Sequence, residues 1–449
     1  MKRIVSLLVA IGLLLSSTLV VSAAIPDPGP GKTNIFIQNI GTTDAIVSLR
    51  FTTGETGGDA WTTDTGGPIS PKASKYVLYT QFGGSIGDGW AGAVAMPANE
   101  PLAAIVNMFW DEPLTGIATA ATCNAVDSPA TVAYLPLLAA RSGLQISRII
   151  VQNAEDATAN ITIYFYDRNG NGAGSLAQSI PPASERTFYL EQIQPSFGAT
   201  NGLGSGYIVS NRRIAAVVTN HWHDGNETGR DGAEATSGVS LGATVLWVPS
   251  VFRKQFPSGQ WNYNATIVQN LGTVAANVHV EFYAQADGTK TFQFDDVIQP
   301  KAAAGYNTYY QGTQNPDIFN AMKAALGTLW QGSMKIASTN GQPLMGLSVL
   351  YPHGVDGIPP AYITDGASYT AIREGDAATN ALACPAVYRK KNLSLGTWDQ
   401  WSTTLVQNVA GTAGQLQVEF YGTDGVKRGG TYSIPISANG TARLNLKDG

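Results

Sequence analysis

Two histidines, His221 and His223, flank Trp222 and are followed by Asp224, Glu227, Asp231 and Glu234. Alternate side chains of a strand share a face, so the two imidazoles could share a metal ion, with a carboxylate such as Asp224 closing the site. The spacing beyond Asp224 is loose, and the plainer reading is a solvated acidic loop. A second cluster, Asp167, Asn169, Asn171 and Gly172, opens like a calcium loop, but Gln178 stands where that loop needs its Glu. Flat indole faces can stack on pyranose rings, which makes Trp261 and Trp401 the candidates for glycan stacking; the alternative is that they plug the ends of a sandwich. No nucleophile elbow, phosphate-binding glycine loop or repeated carboxylate pair is present. The sequence therefore implies no catalytic residue and no cofactor, and offers His221, His223 and Asp224 only as a weak metal set.

The polar residues that do recur are amides. Phe36-Ile37-Gln38-Asn39, Ile150-Val151-Gln152-Asn153, Ile267-Val268-Gln269-Asn270 and Leu405-Val406-Gln407-Asn408 are four versions of one tetrad, and a Phe stands thirteen residues beyond each Gln, at 51, 165, 282 and 420. Amides are poor acids, bases and nucleophiles. At the end of a strand, Asn is suited to hydrogen-bonding the turn backbone and Gln to satisfying a neighbouring strand edge.

These side chains must be positioned by strands. Apolar residues alternate up to each shared Phe, at Val47 and Leu49, Ile161 and Ile163, Val278 and Val280, Leu416 and Val418. Period two with one apolar face predicts a half-buried antiparallel strand. Asn, Asp and Gly then mark hairpin turns, as in Asp287-Gly288 and Asp424-Gly425. A Gly-led strand follows at Gly92, Gly206 and Gly332, and then an unbroken apolar run at Leu102–Val106, Ile214–Val218 and Leu344–Val349, which suits a central strand covered on both faces. Each junction carries an apolar-Pro pair and an Arg: Leu135-Pro136 with Arg141, Val248-Pro249 with Arg253, Cys384-Pro385 with Arg389. Such an Arg could pair with a carboxylate or stack on an aromatic ring between modules.

The fold class expected is all-β: tandem antiparallel β-sandwich modules of immunoglobulin-like architecture, of about seven strands each. The segments are a signal peptide over 1–23, modules over 24–130, 131–243 and 244–379, and the first half of a fourth over 380–449. Asn315 as N-cap, Pro316 at the first helical position and Gly327 as the stop predict one helix near 316–326, inserted in the third module. The fourth copy reaches Gly449 before its Gly-led and central strands. A truncated record is the expectation there, and a strand donated by a neighbouring molecule the alternative.

Composition bounds the rest. Met1–Ala24 has a basic start, an apolar run and a small-residue exit, which describe a secretory signal peptide. With 13% charged residues, a net charge of −5 and no basic cluster, nucleic acid is excluded as a partner and an acidic membrane surface disfavoured; no later segment suits membrane insertion. The two cysteines, Cys123 and Cys384, fall in different modules and are too few for a disulfide scaffold.

The Val-Gln-Asn strand, the Phe-Tyr pairs at 165–166, 282–283 and 420–421, and the apolar-Pro-Arg-Trp entry resemble tandem modules of secreted proteins from Chloroflexota-type filamentous bacteria. The first copy departs from the pattern with Arg50-Phe51 and lacks an apolar-Pro entry strand. The resemblance covers nearly all of the mature chain and implies an extracellular or cell-surface location, without assigning an activity. The function expected is a secreted or surface structural and adhesive protein. Its partners would be a cell-envelope or extracellular polymer, a polysaccharide, or further copies of itself. The alternatives are a carbohydrate-binding array, or a stalk for a reactive domain beyond residue 449.

Overall fold

The computed structural model describes residues 31–446, except 55–58, 88–89, 112–117, 142–143, 199–201, 224–230, 312–314, 354–366, 378–380 and 392–397. The proposed signal peptide and Asp224 lie outside the described residues. Among the described residues strand makes up 62% and helix 7%, so the class is all-β.

In the second module the alternating sequence becomes seven strands in two layers. The strands are β8 (Ala130–Arg141), β9 (Gln145–Asn153), β10 (Ala159–Asp167), β11 (Gly172–Ile180), β12 (Glu185–Tyr189), β13 (Leu203–His223) and β14 (Asp231–Ser237). One layer runs β11-β10-β13-β8 and the other β12-β9-β13-β14. A 21-residue strand, β13, serves both layers and changes partner between Val209 and Ile214. Ile161, Ile163 and Phe165 of β10 point inward with Leu135, Leu138, Ile149, Val151 and Ile208, and this two-sided apolar filling is the module's core.

The other modules repeat the plan. The first has β1 (Gly31–Asn39), β2 (Ser48–Thr53), β3 (Asp59–Asp64), β4 (Ser74–Val77), β5 (Gly92–Ala95), β6 (Leu102–Asp111) and β7 (Ala118–Asn124), in layers β3-β2-β5 and β4-β1-β6-β7. The third has β15 (Val245–Gln255), β16 (Trp261–Asn270), β17 (Ala276–Ala284), β18 (Lys290–Ile298), β19 (Ala303–Asn307), β20 (Leu329–Ser338), β21 (Leu344–His353), β22 (Ala367–Thr370) and β23 (Ile372–Arg373). Its layers are β18-β17-β20-β15, extended by β23, and β19-β16-β21-β22.

In the fourth, β24 (Arg389–Lys391) pairs with β25 (Trp398–Trp401), β26 (Thr403–Gln407) with β29 (Thr441–Asn445), and β27 (Gly414–Tyr421) with β28 (Lys427–Ile436). Leu416, Val418 and Phe420 are only half-buried, whereas Ile163, Val280 and Phe282 are fully enclosed. The difference follows from pairing: β27 has one strand neighbour among the described residues, and β10 and β17 each have two.

The helix Pro316–Leu326 forms with the expected cap: Asp317 N donates to Asn315 Oδ1 at 2.9 Å, and Phe319, Met322 and Leu326 are buried against the third module's core. Three short helices were not expected: Tyr79–Ile86, Leu190–Ile193 and Glu374–Ala377. None shows an Asn-Pro start of that kind. The last two are single turns that local pattern cannot separate from loop.

The Gly that leads each inner strand has a steric origin. A Cβ at Gly332 would lie 2.0 Å from the Tyr283 carbonyl oxygen and 2.7 Å from the Trp330 ring, which covers Phe282 with centroids 5.7 Å apart. Trp90 covers Phe51 in the same way, at 5.8 Å.

Candidate functional site

The recurrent Asn is a clamp, built identically four times. The Asn270 side-chain amide donates to Val274 O at 2.8 Å and Ile298 O at 2.9 Å, while its Oδ1 accepts from Gly272 N at 2.8 Å. Asn39 bonds Thr43 O, Ile69 O and Gly41 N; Asn153 bonds Ala157 O, Ile180 O and Glu155 N; Asn408 bonds Thr412 O, Ser437 O and Ala410 N. Each ties its own turn to the segment leading into the next edge strand, so the conformation of that segment is set by one side chain.

That segment carries a left-handed residue in every copy: Lys72 (φ 67°), Ala183 (φ 55°), Lys301 (φ 65°) and Asn439 (φ 58°). The residue two positions later docks on the hairpin turn of the preceding module. Ala303 N donates to Arg168 O at 3.1 Å, joining the second and third modules. Thr441 N donates to Gln285 O at 3.3 Å, joining the third and fourth. Both acceptors stand three residues past the shared Phe. The seams add Ser205 Oγ to Lys301 O at 3.1 Å and Ser333 Oγ to Asn439 O at 3.4 Å. Between the first and second modules, Gly54, also three past its Phe, lies against the Glu185 carboxylate.

The recurrent Gln belongs to these seams unequally. Gln407 Nε2 donates to Ser333 Oγ at 2.9 Å across the third seam, and Gln38 Nε2 to Lys72 O at 3.3 Å. Gln269 is fully buried without a side-chain partner, and Gln152 is half-buried on β9. The seam residues, two Lys (Lys72 and Lys301), Ala183 and Asn439, have no residue type common to all four and escaped sequence reading. Their signal is positional, two residues before an edge strand.

His221 is not a solvated residue. β13 runs through to His223 and pairs with β14, so Glu234 sits in a strand rather than a loop. His221 is 2% exposed and meets the Trp110 ring of the first module edge-on, with centroids 4.6 Å apart. Burial, with Arg148 nearby, pushes its pKa down to about 3, so the ring is neutral. Among the described residues no cluster of three His, Cys, Asp or Glu side chains could hold a metal. Asp167, in the calcium-like loop, spends its carboxylate on the loop itself, accepting from Asn169 N, Asn171 N and Asn171 Nδ2, each at 2.9 Å. His279 Nδ1 contacts Asp295 Oδ1 at 2.7 Å. Cys123 and Cys384 are free thiols; Cys123 is buried between Ala121, Ala233 and Ala235 at the first seam.

Trp261 belongs to a row of rings. Successive centroids along Trp222, Tyr351, Tyr263, Tyr309 and Trp261 lie 5.5, 5.4, 5.1 and 5.0 Å apart, spanning the second and third modules. Arg253 lies over Trp261 at 5.1 Å and also donates to Thr308 O, so this junction Arg stacks and bonds within its own module. Arg389 donates to Leu446 O at 2.8 Å, while Arg141 is partly buried near Tyr351. The strand carrying Trp401 is described; its side chain is not.

No protein-family model matches the chain, and no curated protein matches it. Among solved structures, it is similar to the tetra-tandem repeat in the extending region of a large adhesion protein, at 10% identity over 93% of this chain and 87% of that one, with a TM-score of 0.11. It is also similar to a point mutant of the CFA/I enterotoxigenic E. coli adhesin CfaE, at 10% identity over 53% and 92%, with a TM-score of 0.08. Superpositions this loose do not extend to function.

The remaining chemistry is a buried acid. Glu234 of β14 is 1% exposed; its Oε1 accepts from Asn220 Nδ2 at 2.9 Å, and burial pushes its pKa up to about 7. The folded chain thus holds this proton when the unfolded chain has released it, and stability falls as pH rises from about 4.5 to about 7. His221 acts oppositely, losing stability as pH falls below about 6.5. Glu234→Gln keeps the Asn220 contact and removes only the first slope. The variant is expected to gain stability over the native chain progressively between pH 4.5 and 7, by of the order of 3 kcal/mol at the upper end. Urea unfolding across that range checks it; a difference independent of pH would refute the assignment.

Proposed function

We propose that the chain is a secreted or cell-surface structural and adhesive protein without catalytic activity, its modules arranged to present surface rather than to enclose a substrate. One observation carries this reading. The polar residues shared by the copies are spent inside the fold: each Asn holds its turn, and the backbone groups around it join one module to the next. No acid, base or nucleophile recurs with them. The signal sequence supports export, and low charge suits contact with an uncharged extracellular polymer. Beads coated with the purified chain are expected to adhere to envelope fragments or extracellular polymer more than beads coated with an unrelated β-sandwich. Turnover of a substrate that is abolished by His221→Gln or Glu234→Gln would overturn the reading.

A second reading, polysaccharide binding, is favoured by the ring row. Tyr310 is 46% exposed and packs edge-on against Tyr309, with centroids 4.6 Å apart, next to half-exposed Trp261. Stacking on such faces contributes about 1 kcal/mol or more per ring. If the row binds glycan, Trp261→Ala is expected to weaken binding to an immobilised polysaccharide panel about tenfold. Absence of native-chain binding to every polysaccharide in the panel would retire this reading.

A further inference from the structure

The two surfaces that meet at each seam are also found on the first and fourth modules, and there they meet each other. Thr423 stands three residues past Phe420, and Ser74 two residues past left-handed Lys72; Ser74 N donates to Thr423 O at 3.3 Å. This is the bond made by Ala303 with Arg168 and by Thr441 with Gln285. The fit around it is close. A Cβ at Gly425 (φ 76°) would lie 2.7 Å from Pro71 O and 3.2 Å from Ala73 N. Lys72 Nζ donates to the Tyr421 hydroxyl at 2.8 Å and lies 4.7 Å from the centre of that ring. Tyr388 meets Phe36 edge-on at 6.2 Å.

This fourth contact differs from the other seams in what supports it. The modules at those seams are consecutive along the chain, and two of the seams carry a serine bond, from Ser205 and from Ser333. The contact between the fourth and first modules joins modules that are not consecutive and shows no such bond among the described residues. A head-to-tail contact of this kind closes a ring when both surfaces belong to one molecule and builds an open fibre when they belong to two.

We propose that the Thr423–Gly425 turn and the Pro71–Ser74 turn form a latch that a second copy of this chain can replace, so that closed rings exchange into head-to-tail fibres. The surfaces are complementary because the chain uses the same pair at its internal seams. Within one molecule, tethering supplies an effective concentration of the order of millimolar, so the ring prevails in dilute solution and exchange requires crowding of that order. The proposal does not depend on what the modules bind.

The test is crosslinking of the full chain carrying Ser74→Cys and Thr423→Cys in a Cys384→Ser background, which removes the exposed native thiol. A short thiol crosslinker is applied at about 1 µM and at about 1 mM protein, below and near the tethered concentration. A single-chain product is expected at the low concentration, and a ladder at whole-number multiples of the chain mass at the high one. Lys72→Glu, which sets a carboxylate beside Tyr421 and Glu419, is expected to lower the dilute product at least fivefold. Absence of the dilute product, or its indifference to Lys72→Glu, would overturn the latch. A single-chain product alone at both concentrations would overturn the exchange.

Discussion

Phe282→Ala is expected to destabilise the third module by about 3–5 kcal/mol, the usual cost of emptying a fully enclosed aromatic site. The Phe282 ring has no exposed surface and is surrounded by Phe292, Phe294 and Trp330, with centroids 6.0, 6.4 and 5.7 Å away. All three are held by strands that cannot collapse inward without breaking ladder bonds, so most of the cavity should persist. The equivalent Phe420→Ala is an internal control. That ring is half-buried, and among the described residues β28 alone pairs with its strand, so its loss should cost about 1–2 kcal/mol. Hydrogen exchange read separately over β17 and β27 in the full chain distinguishes the two, and equal effects would contradict the described difference in enclosure.

Asn270→Ala is expected to cost the same module about 3 kcal/mol. The substitution removes little apolar contact, but it strips partners from Val274 O, Ile298 O and Gly272 N around a residue with no exposed surface. Each buried group left unsatisfied costs about 1–3 kcal/mol, moderated where water can enter. Because Asn270 also fixes the segment holding Lys301, the effect should reach beyond the turn. Exchange is expected to accelerate at Ala303, whose N–H bonds the second module, as well as at Gly272. Acceleration confined to Gly272 would show that the clamp and the seam are independent.

Much of this architecture was visible in the sequence, and the reason is locality. The alternation ahead of Phe165 and Phe282 is a statement about one strand and its two faces, and the Asn315-Pro316 start of the helix concerns three adjacent residues. The Asn clamp was partly legible because its reach is short: its i+2 and i+4 partners are near in sequence. What could not be read was decided by other modules. His221 and Glu234 looked like members of a solvated acidic loop, since nothing nearby shows that β13 continues through Trp222 to pair with β14, or that Trp110 closes over His221. The left-handed seam residues were invisible for a different reason. Lys, Ala and Asn have no common chemistry, and only the backbone conformation imposed on them is shared.

The single strand β13 gives the second module a mechanical character that its neighbour lacks. Because one continuous strand passes from the first layer to the second, with no loop between, shearing one layer over the other must strip hydrogen bonds from both layers together. In the third module the corresponding run is interrupted at 339–343, between β20 and β21, and that slack can be drawn out before either layer yields. A pull along the chain would therefore be borne stiffly by the second module and compliantly by the third, which would extend first.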